Sequence, residues 1–578
     1  MQLGKKVTMR FLPTLLVLVA MLMVACGGGS STNPPTGGAK APASQQIDRV
    51  ALATSDIASF DPAQASDLYS GEAIYAVFTG LVGFNDQLQV VPQMASSWTT
   101  SSDNLTWTFT LRSGLKFSDG TPITSTDVVY SIDRALSPQI SSLNGVSLTY
   151  LGLIKDSDKR VAGKIPTIIG DSLLTPDANT VVIKLNNPGA YFLEALGYPT
   201  SWVVEKKVIT QWGLKWTDHL ADNGGQGGAG AFVVKTYDHS KGIDLVPNPN
   251  YYGKKPQLAM LSYLFYKSPN TAYEAYQAGQ LDETGDVNIP SANYEQAKTS
   301  KEFRNTPNLS IGYFAMNYLA KPFNNIHIRQ AFAAAINKDV LNQAIYKGQR
   351  VPSCHIVPNG MPGYNPNLQC PGGVTTAGDP AKAKQLFDQG MQEEGYTLAA
   401  FPSVTITYPS GSTDRDNLIT TVRQMWKTAL GIDVKANAID FNQLVTQLSG
   451  AVNNAKGLQM WNIGWIADYP DPQDWTTLQF DKGSPNNYFN YGQNNSSDAA
   501  QQQQVQQLLE KADVTANQTQ RLQMYNQAEQ QLVNDVAWLP LWQVPTSRLT
   551  KSYVIGRVYN AFGLVPPDDW ANVYIAVH

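Results

Sequence analysis

The sequence predicts an α/β protein of two or more lobes. Stretches of period-two alternation and stretches of helical apolar spacing take turns through both halves of the chain, the pattern of interleaved strands and helices. Its 578 residues exceed what one domain normally needs. No fixed internal period recurs, which argues against a solenoid or a propeller.

The elements follow in order. "RVALAT" (49–54) reads as a short apolar strand, and "EAIYAVFTGLVGF" (72–84) as a helix ending at Gly80 and Gly83. In 105–136, Trp107, Phe109 and Leu111 alternate with polar residues as a strand does. "SDGTP" is a turn, after which Ser125, Thr126 or Asp127 can cap a helix through Leu136. "DANTVVIKLNNP" (177–188) is a strand between turn residues, and 230–256 holds two strands around "DHSKG". Residues 270–282 form a helix closed by Gly279, 310–318 a strand, and 328–348 a helix stopped by Gly348. Asp379 followed by Pro380 opens a helix to Gly390. Next come a strand at 403–409, a helix and strand around Gly431, and a strand in 458–470 that proline stops. A helical pair follows, then a short strand from Ala537. The glutamine-rich stretch 499–507 belongs to the first helix of that pair and reads as a solvated helix, because Val505, Leu508 and Leu509 continue an apolar face.

Composition narrows the function. Lys+Arg 42 against Asp+Glu 46 leaves a net charge of −4, with no basic footprint for nucleic acid. The 27 Tyr and 12 Trp are numerous. Aromatics line sugar and peptide clefts, and they also simply fill cores.

At the N-terminus, Lys5, Lys6 and Arg10 precede the apolar run Phe11–Ala25, which ends "MVAC" at Cys26. A basic flank and a short apolar run before a small residue make a signal peptide, and the run is short for a membrane span. The cysteine at the cut resembles the lipobox of bacterial lipoproteins, departing from it at Met23 where Leu is usual. Residues 1–26 are then the leader with its lipid-accepting Cys26. Residues 27–46, small and nearly uncharged, are a flexible tether. Export implies an oxidising compartment, where Cys354 and Cys370 are expected to bridge. Closing a loop of that size stabilises by roughly 3 kcal/mol. The rival is a metal site: His355 is adjacent, but no CxxC or HxxxH spacing supports it.

Catalytic signals are sparse. "GQGGAG" (225–230) matches a dinucleotide fingerprint literally, but a strand follows it where a helix is required. Nor does lysine follow Gly230. No GxSxG or HExxH occurs. Asp468, Asp471 and Asp474 could flank a scissile bond as a glycosidase requires, but Pro470 and Pro472 break any shared helical face. Asp468 ends a strand set with Trp461 and Trp465. It could hold an ammonium while the strand edge pairs with an extended peptide. It could equally cap its own turn with Asp471.

One long stretch separates these readings. "MASSWTTSSDNLTWTFTLRSGLKFSDGTPITSTDVVYSIDRAL" (94–136) resembles the signature of the family 5 extracellular solute-binding proteins, the oligopeptide- and dipeptide-binding components of ABC importers. "SFDPAQASD" (59–67), 228–256, 313–341 and "GWIADYPDP" (464–472) match in family order. The resemblance implies a two-lobed, hinged periplasmic-binding-protein fold of class II type, with an extra domain inserted in lobe I. Lobe I would span 47–305, with the insert near 80–200, and lobe II 306–542; residues 543–578 would return to lobe I. Two thin crossings would let the lobes close on ligand.

The same resemblance implies the site. Asp468 matches the aspartate that holds a peptide's α-ammonium, and Gly464, Trp465 and Ile466 the segment whose backbone pairs with the peptide. Ser66, Asp67 and Leu68 match the facing segment of lobe I. Trp542 falls where the family places an aromatic in the cleft. Asp471 and Asp474 then organise the turn. The implied protein is a monomer outside the cytoplasm, lipid-anchored to the cell membrane, binding no nucleic acid, metal or cofactor. It performs no chemistry and delivers peptides to an ABC permease with its ATPase subunits. A binder of oligosaccharide or another solute in the same fold is the first alternative, and a secreted hydrolase using the aspartate cluster the second.

Overall fold

The computed structural model describes residues 38–64, 67–144, 146–286 and 289–578. Its largest sheet has six strands in the order Val351–Pro352, Leu539–Gln543, Ser310–Met316, Met460–Ile466, Val404–Pro409 and Val434–Ile439. A four-stranded sheet joins Ile47–Leu52, Met260–Phe265, Gly242–Pro247 and Phe232–Asp238. Its first pair is parallel, Val50 opposite Tyr263, and the others antiparallel. A second four-stranded sheet, all antiparallel, lies within Ala95–Lys184. Helices alternate with strands around these sheets. The chain is α/β, with its strands divided among separate sheets in two lobes.

The chain passes between the first and largest sheets at two neighbouring places. Phe303–Thr306 pairs with Thr546–Leu549 just outside the six-stranded sheet. Residues 307–309 and 544–545 are the links. They are bonded to each other: Asn308 Nδ2 donates to Thr546 Oγ1 at 2.9 Å, and Gln543 Nε2 donates to Asn308 O at 3.0 Å. The same amide donates to Asn359 O at 3.0 Å, and its Oε1 accepts from Asn359 N at 3.1 Å. Beyond the links, the C-terminal segment is fastened to the first sheet. Arg557 pairs with buried Asp48. The tether expected over 27–46 is not loose at its described end: Ala41 N donates to Ile575 O at 2.9 Å, and buried Gln46 donates through Nε2 to Ala41 O and Ile575 O at 2.8 Å each.

Several boundaries differ from the sequence reading, each for a local reason. The helix expected over 72–84 runs Leu68–Val77, and Val82–Phe84 forms a strand. Asp67 starts the helix early by accepting from Ser70 N at 3.0 Å. Phe78 is extended (φ −118°, ψ 169°), and a Cβ at Gly80 would overlap the Trp202 ring. The helix after "SDGTP" is capped by Thr124, whose N–H donates to Asp127 Oδ2 at 2.8 Å. The helix expected over 328–348 is two, Ile326–Ala334 and Lys338–Tyr346. Asn337 caps the second by accepting from Val340 N at 2.9 Å.

The glutamine-rich helix Ala499–Asp513 is not simply solvated. Gln502 and Gln506 are 0% and 1% exposed. Gln502 Oε1 accepts from Gly492 N at 2.8 Å, and Gln506 Nε2 donates to Phe480 O at 2.7 Å and Tyr491 O at 2.8 Å. These amides satisfy the backbone of the irregular segment 480–493, which has no ladder of its own. "GQGGAG" precedes the strand Phe232–Asp238; a Cβ on Gly230 would come within 2.5 Å of Val77 C, so this glycine permits close packing on the helix Leu68–Val77. Cys354 and Cys370 are joined by a disulfide.

Candidate functional site

The strand Met460–Ile466 is paired along its whole length on one side, from Met460 opposite Met316 to Ile466 opposite Ser310. On its other side the parallel ladder with Val404–Pro409 covers only Met460 and Trp461. Among the described residues no other strand joins it there. Residues 463–466 therefore present a free strand edge, and Gly464, in its middle, is exposed. Ala467 N donates to Leu309 O at 2.8 Å, which continues the bonding on the strand's paired side. Asp468 stands at the edge's end.

Asp468 is partly buried. Its Oδ2 accepts a hydrogen bond from the Tyr150 hydroxyl at 2.6 Å, across 318 positions of sequence. The Tyr150 ring stacks on Tyr198, centroids 3.8 Å apart, and Tyr198 also hydrogen-bonds the Asp468 carboxylate. Burial raises the Asp468 carboxyl to about 7, against the two tyrosine hydrogen bonds that favour its charge. In turn, burial and then the Asp468 charge push the Tyr150 hydroxyl well above its ordinary range. The Asp468 carboxyl thus sits against an aromatic wall and is bonded by two tyrosine hydroxyls.

The other two aspartates hold the turn. Asp474 is 0% exposed and accepts from Asp468 N at 3.1 Å and Trp465 Nε1 at 3.4 Å. Burial, and after it the charge of Asp468, raise its carboxyl well above the usual range. Asp471 caps the short helix Pro472–Trp475 by accepting from Gln473 N at 2.9 Å. It also forms a two-pronged pair with Arg521, at 2.7 and 2.6 Å. Burial opposes the Arg521 charge, yet the Asp471 hydrogen bonds hold the guanidinium above its ordinary range. Asp468, Asp471 and Asp474 thus point to different partners and do not form a pair facing one site.

Gly464, Trp465, Ile466 and Asp468 form one continuous stretch. Asp67, the helix cap, lies near enough to Tyr198 that its charge and that of Asp468 both act on that hydroxyl. Asp67 Oδ2 is buried without a partner, and burial raises its carboxyl. Leu68 is partly buried against the core. Ser66 and Cys26 lie outside the described residues. Trp542 is 4% exposed, laid over Gly312, where a Cβ would come within 2.8 Å of its Nε1, and edge-on to Tyr346 at 4.9 Å. It packs inside the six-stranded sheet's core. Tyr150 and Tyr198 were not legible in the sequence. They lie on the short helix Ser147–Leu151 and just before the 3-10 turn Pro199–Ser201, neither of which carries a readable pattern.

A two-lobed α/β frame with an aromatic-walled carboxyl beside a free strand edge defines a solute-binding protein. The comparisons agree. Residues 89–487, more than half of the chain, match the model of the bacterial extracellular solute-binding proteins, family 5, and the chain belongs to that family. The oligopeptide-binding protein OppA of Bacillus subtilis is 26% identical over 533 residues, covering 92% of this chain and 93% of that one. Haemophilus influenzae OppA in complex with RPPGFSPFR superimposes with a TM-score of 0.79 at 22% identity, over 92% of this chain and 99% of the other. The unliganded open form of the periplasmic murein tripeptide-binding protein MppA gives 0.63 at 25% identity, over 94% and 99%.

Proposed function

We propose that this protein captures peptides by their free N-terminus and delivers them to an ABC permease. The observation that carries the reading is the free edge of residues 463–466 ending at the Asp468 carboxyl. An extended guest adds a strand there through backbone hydrogen bonds, and its α-ammonium reaches Asp468 in place of the Tyr150 hydroxyl. The printed names of the relatives, an oligopeptide-binding protein among them, support a peptide over other solutes. The two lobes in this reading are 47–305 with 543–578, and 306–542, with an insert near 80–200. Closure brings Tyr150 and Tyr198 of the insert over the edge, consistent with the better match to a peptide complex than to an open form. Cys26 carries the lipid that holds the protein at the outer face of the membrane. No helix among the described residues is long and apolar enough to cross a membrane.

The protein performs no catalysis in this reading. Asp471 is bound to Arg521, and Asp474, though close to Asp468, is fully buried and taken up by Asp468 N and Trp465 Nε1, so neither faces a guest beside Asp468. Mass spectrometry of ligand co-purified with the protein is expected to find peptides; a sugar in their place would shift the reading to an oligosaccharide binder.

Binding should also depend on pH with a defined sign. With Tyr150 and Tyr198 over it, the Asp468 carboxyl is raised to about 7, and only its ionised form pairs with an ammonium. Below that value the acid must lose its proton before binding, so affinity falls by up to about tenfold per pH unit. Above about 8 the guest's own amine loses its charge. Calorimetry in buffers of different ionisation enthalpy is expected to give strongest binding between these limits, with proton release on the acid side. A flat profile with no proton release would remove Asp468 from the contact.

A further inference from the structure

Lys338, at the start of the helix Lys338–Tyr346, is 5% exposed. It is in no ion pair with any described residue. Its ammonium donates to Ser353 O at 2.9 Å and to the sulfur of Cys354 at 3.3 Å. A buried ammonium is costly unless its donors are taken up, and here one acceptor is a disulfide sulfur. Burial pulls the lysine down to about 7, with the Asp339 charge acting the other way. The two ends of the bridge differ in access. Cys354 is 4% exposed, whereas Cys370 is only partly buried.

This asymmetry gives the bridge a direction. A thiolate attacks a disulfide sulfur through a mixed disulfide, and the better leaving sulfur is the one whose thiolate is stabilised. A neighbouring lysine stabilises a thiolate. Attack from solvent reaches Cys370, and the sulfur expelled is then Cys354, which already accepts from Lys338 Nζ. We propose that the Cys354–Cys370 bridge is a thiol-exchange site, at which a low-molecular-weight thiolate becomes attached to Cys370 and Cys354 is released to Lys338.

The step balances. The incoming sulfur's electron pair forms the new S–S bond to Cys370, and the pair of the old bond leaves with Cys354. The incoming thiol is oxidised to the disulfide level and Cys354 is reduced. The Cys354 thiolate takes the Lys338 hydrogen bond, and with it the proton when that transfers. Reversal needs no further reagent: Cys354 attacks Cys370, recloses the bridge and expels the thiolate. The exchange opens one end of a loop that is otherwise held to the strand Leu539–Gln543, which leads into an inter-sheet link, through Ser353 N to Leu541 O at 3.0 Å and Asn359 to Gln543.

The test uses the mature chain and glutathione. After timed incubation and acid quench, peptide mapping is expected to find the adduct on Cys370, with Cys354 as the free thiol. An adduct mainly on Cys354 overturns the proposal, and this measurement needs no substitution. Lys338→Met should slow bridge opening by about tenfold, while Lys338→Arg, which keeps the charge, should stay within about threefold of the natural protein. Opening of the Lys338→Met variant at the natural rate or faster also overturns it. Peptide binding by each variant, measured in parallel, reports on its fold and does not depend on the exchange.

Discussion

Asp468→Asn is expected to weaken peptides with a free N-terminus by about tenfold to about a hundredfold and to leave N-acetylated peptides of the same sequence nearly unchanged. The size follows from a hydrogen bond to a charged group, worth about 1.5–3 kcal/mol, with about 1.4 kcal/mol for each factor of ten. Asn keeps the shape and can still accept from Tyr150, so the strand edge and its backbone contacts persist. The loss falls on the one interaction that needs a charge. Titration calorimetry with matched free and acetylated peptides makes the comparison, and an equal loss for both would exclude Asp468 as the ammonium's partner. The same substitution should raise the thermal midpoint of the empty protein at pH 8. The folded carboxyl, raised to about 7 by burial, stays protonated to higher pH than in the unfolded chain. It therefore lowers stability progressively as pH rises from about 4 through 7. Asn has no such ionisation, so its advantage should vanish below about pH 4.

Arg521→Met should cost about 3–5 kcal/mol of stability, because it leaves the Asp471 carboxylate buried without its partner. Arg521 and Asp471 are 1% and 6% exposed, and their two-pronged contact is the turn's main anchor to the helix Gln518–Asn534. Denaturant titration measures the loss. The double variant Asp471→Leu with Arg521→Met should recover part of it, since two apolar side chains leave no orphaned charge. A loss below about 1 kcal/mol in the single variant would show that the turn holds without the pair. Affinity should fall too, because Asp471 follows Asp468 by three positions and fixes where the strand's end points.

Much of this was legible in the sequence. Alternation located Thr106–Leu111, Val404–Pro409 and Met460–Ile466 as strands, and Asp379 before Pro380 marked the start of a helix, which runs on to Glu393. Asp471 and Asp474 were expected to organise the turn, and their hydrogen bonds do so. What escaped was set by contacts distant in sequence. Apolar spacing could not reveal that Gln502 and Gln506 are buried, because their partners lie on an irregular segment. The break at Asn337 was hidden in a run that is helical by spacing on both sides. Tyr150 is visible as a site residue only once the fold carries it 318 positions to Asp468.

An unpaired strand edge is also a hazard, since it can template pairing with another copy of the same chain. Here the unpaired stretch is short, is followed by Pro470 and Pro472, and stops two residues before Asp468, which the Tyr150 hydroxyl holds. A second molecule's strand would need several residues of flat, open border to take hold, and this one offers only four positions, 463–466. On the proposed reading, the border that admits a slender guest is thus too short to seat a strand of a folded neighbour.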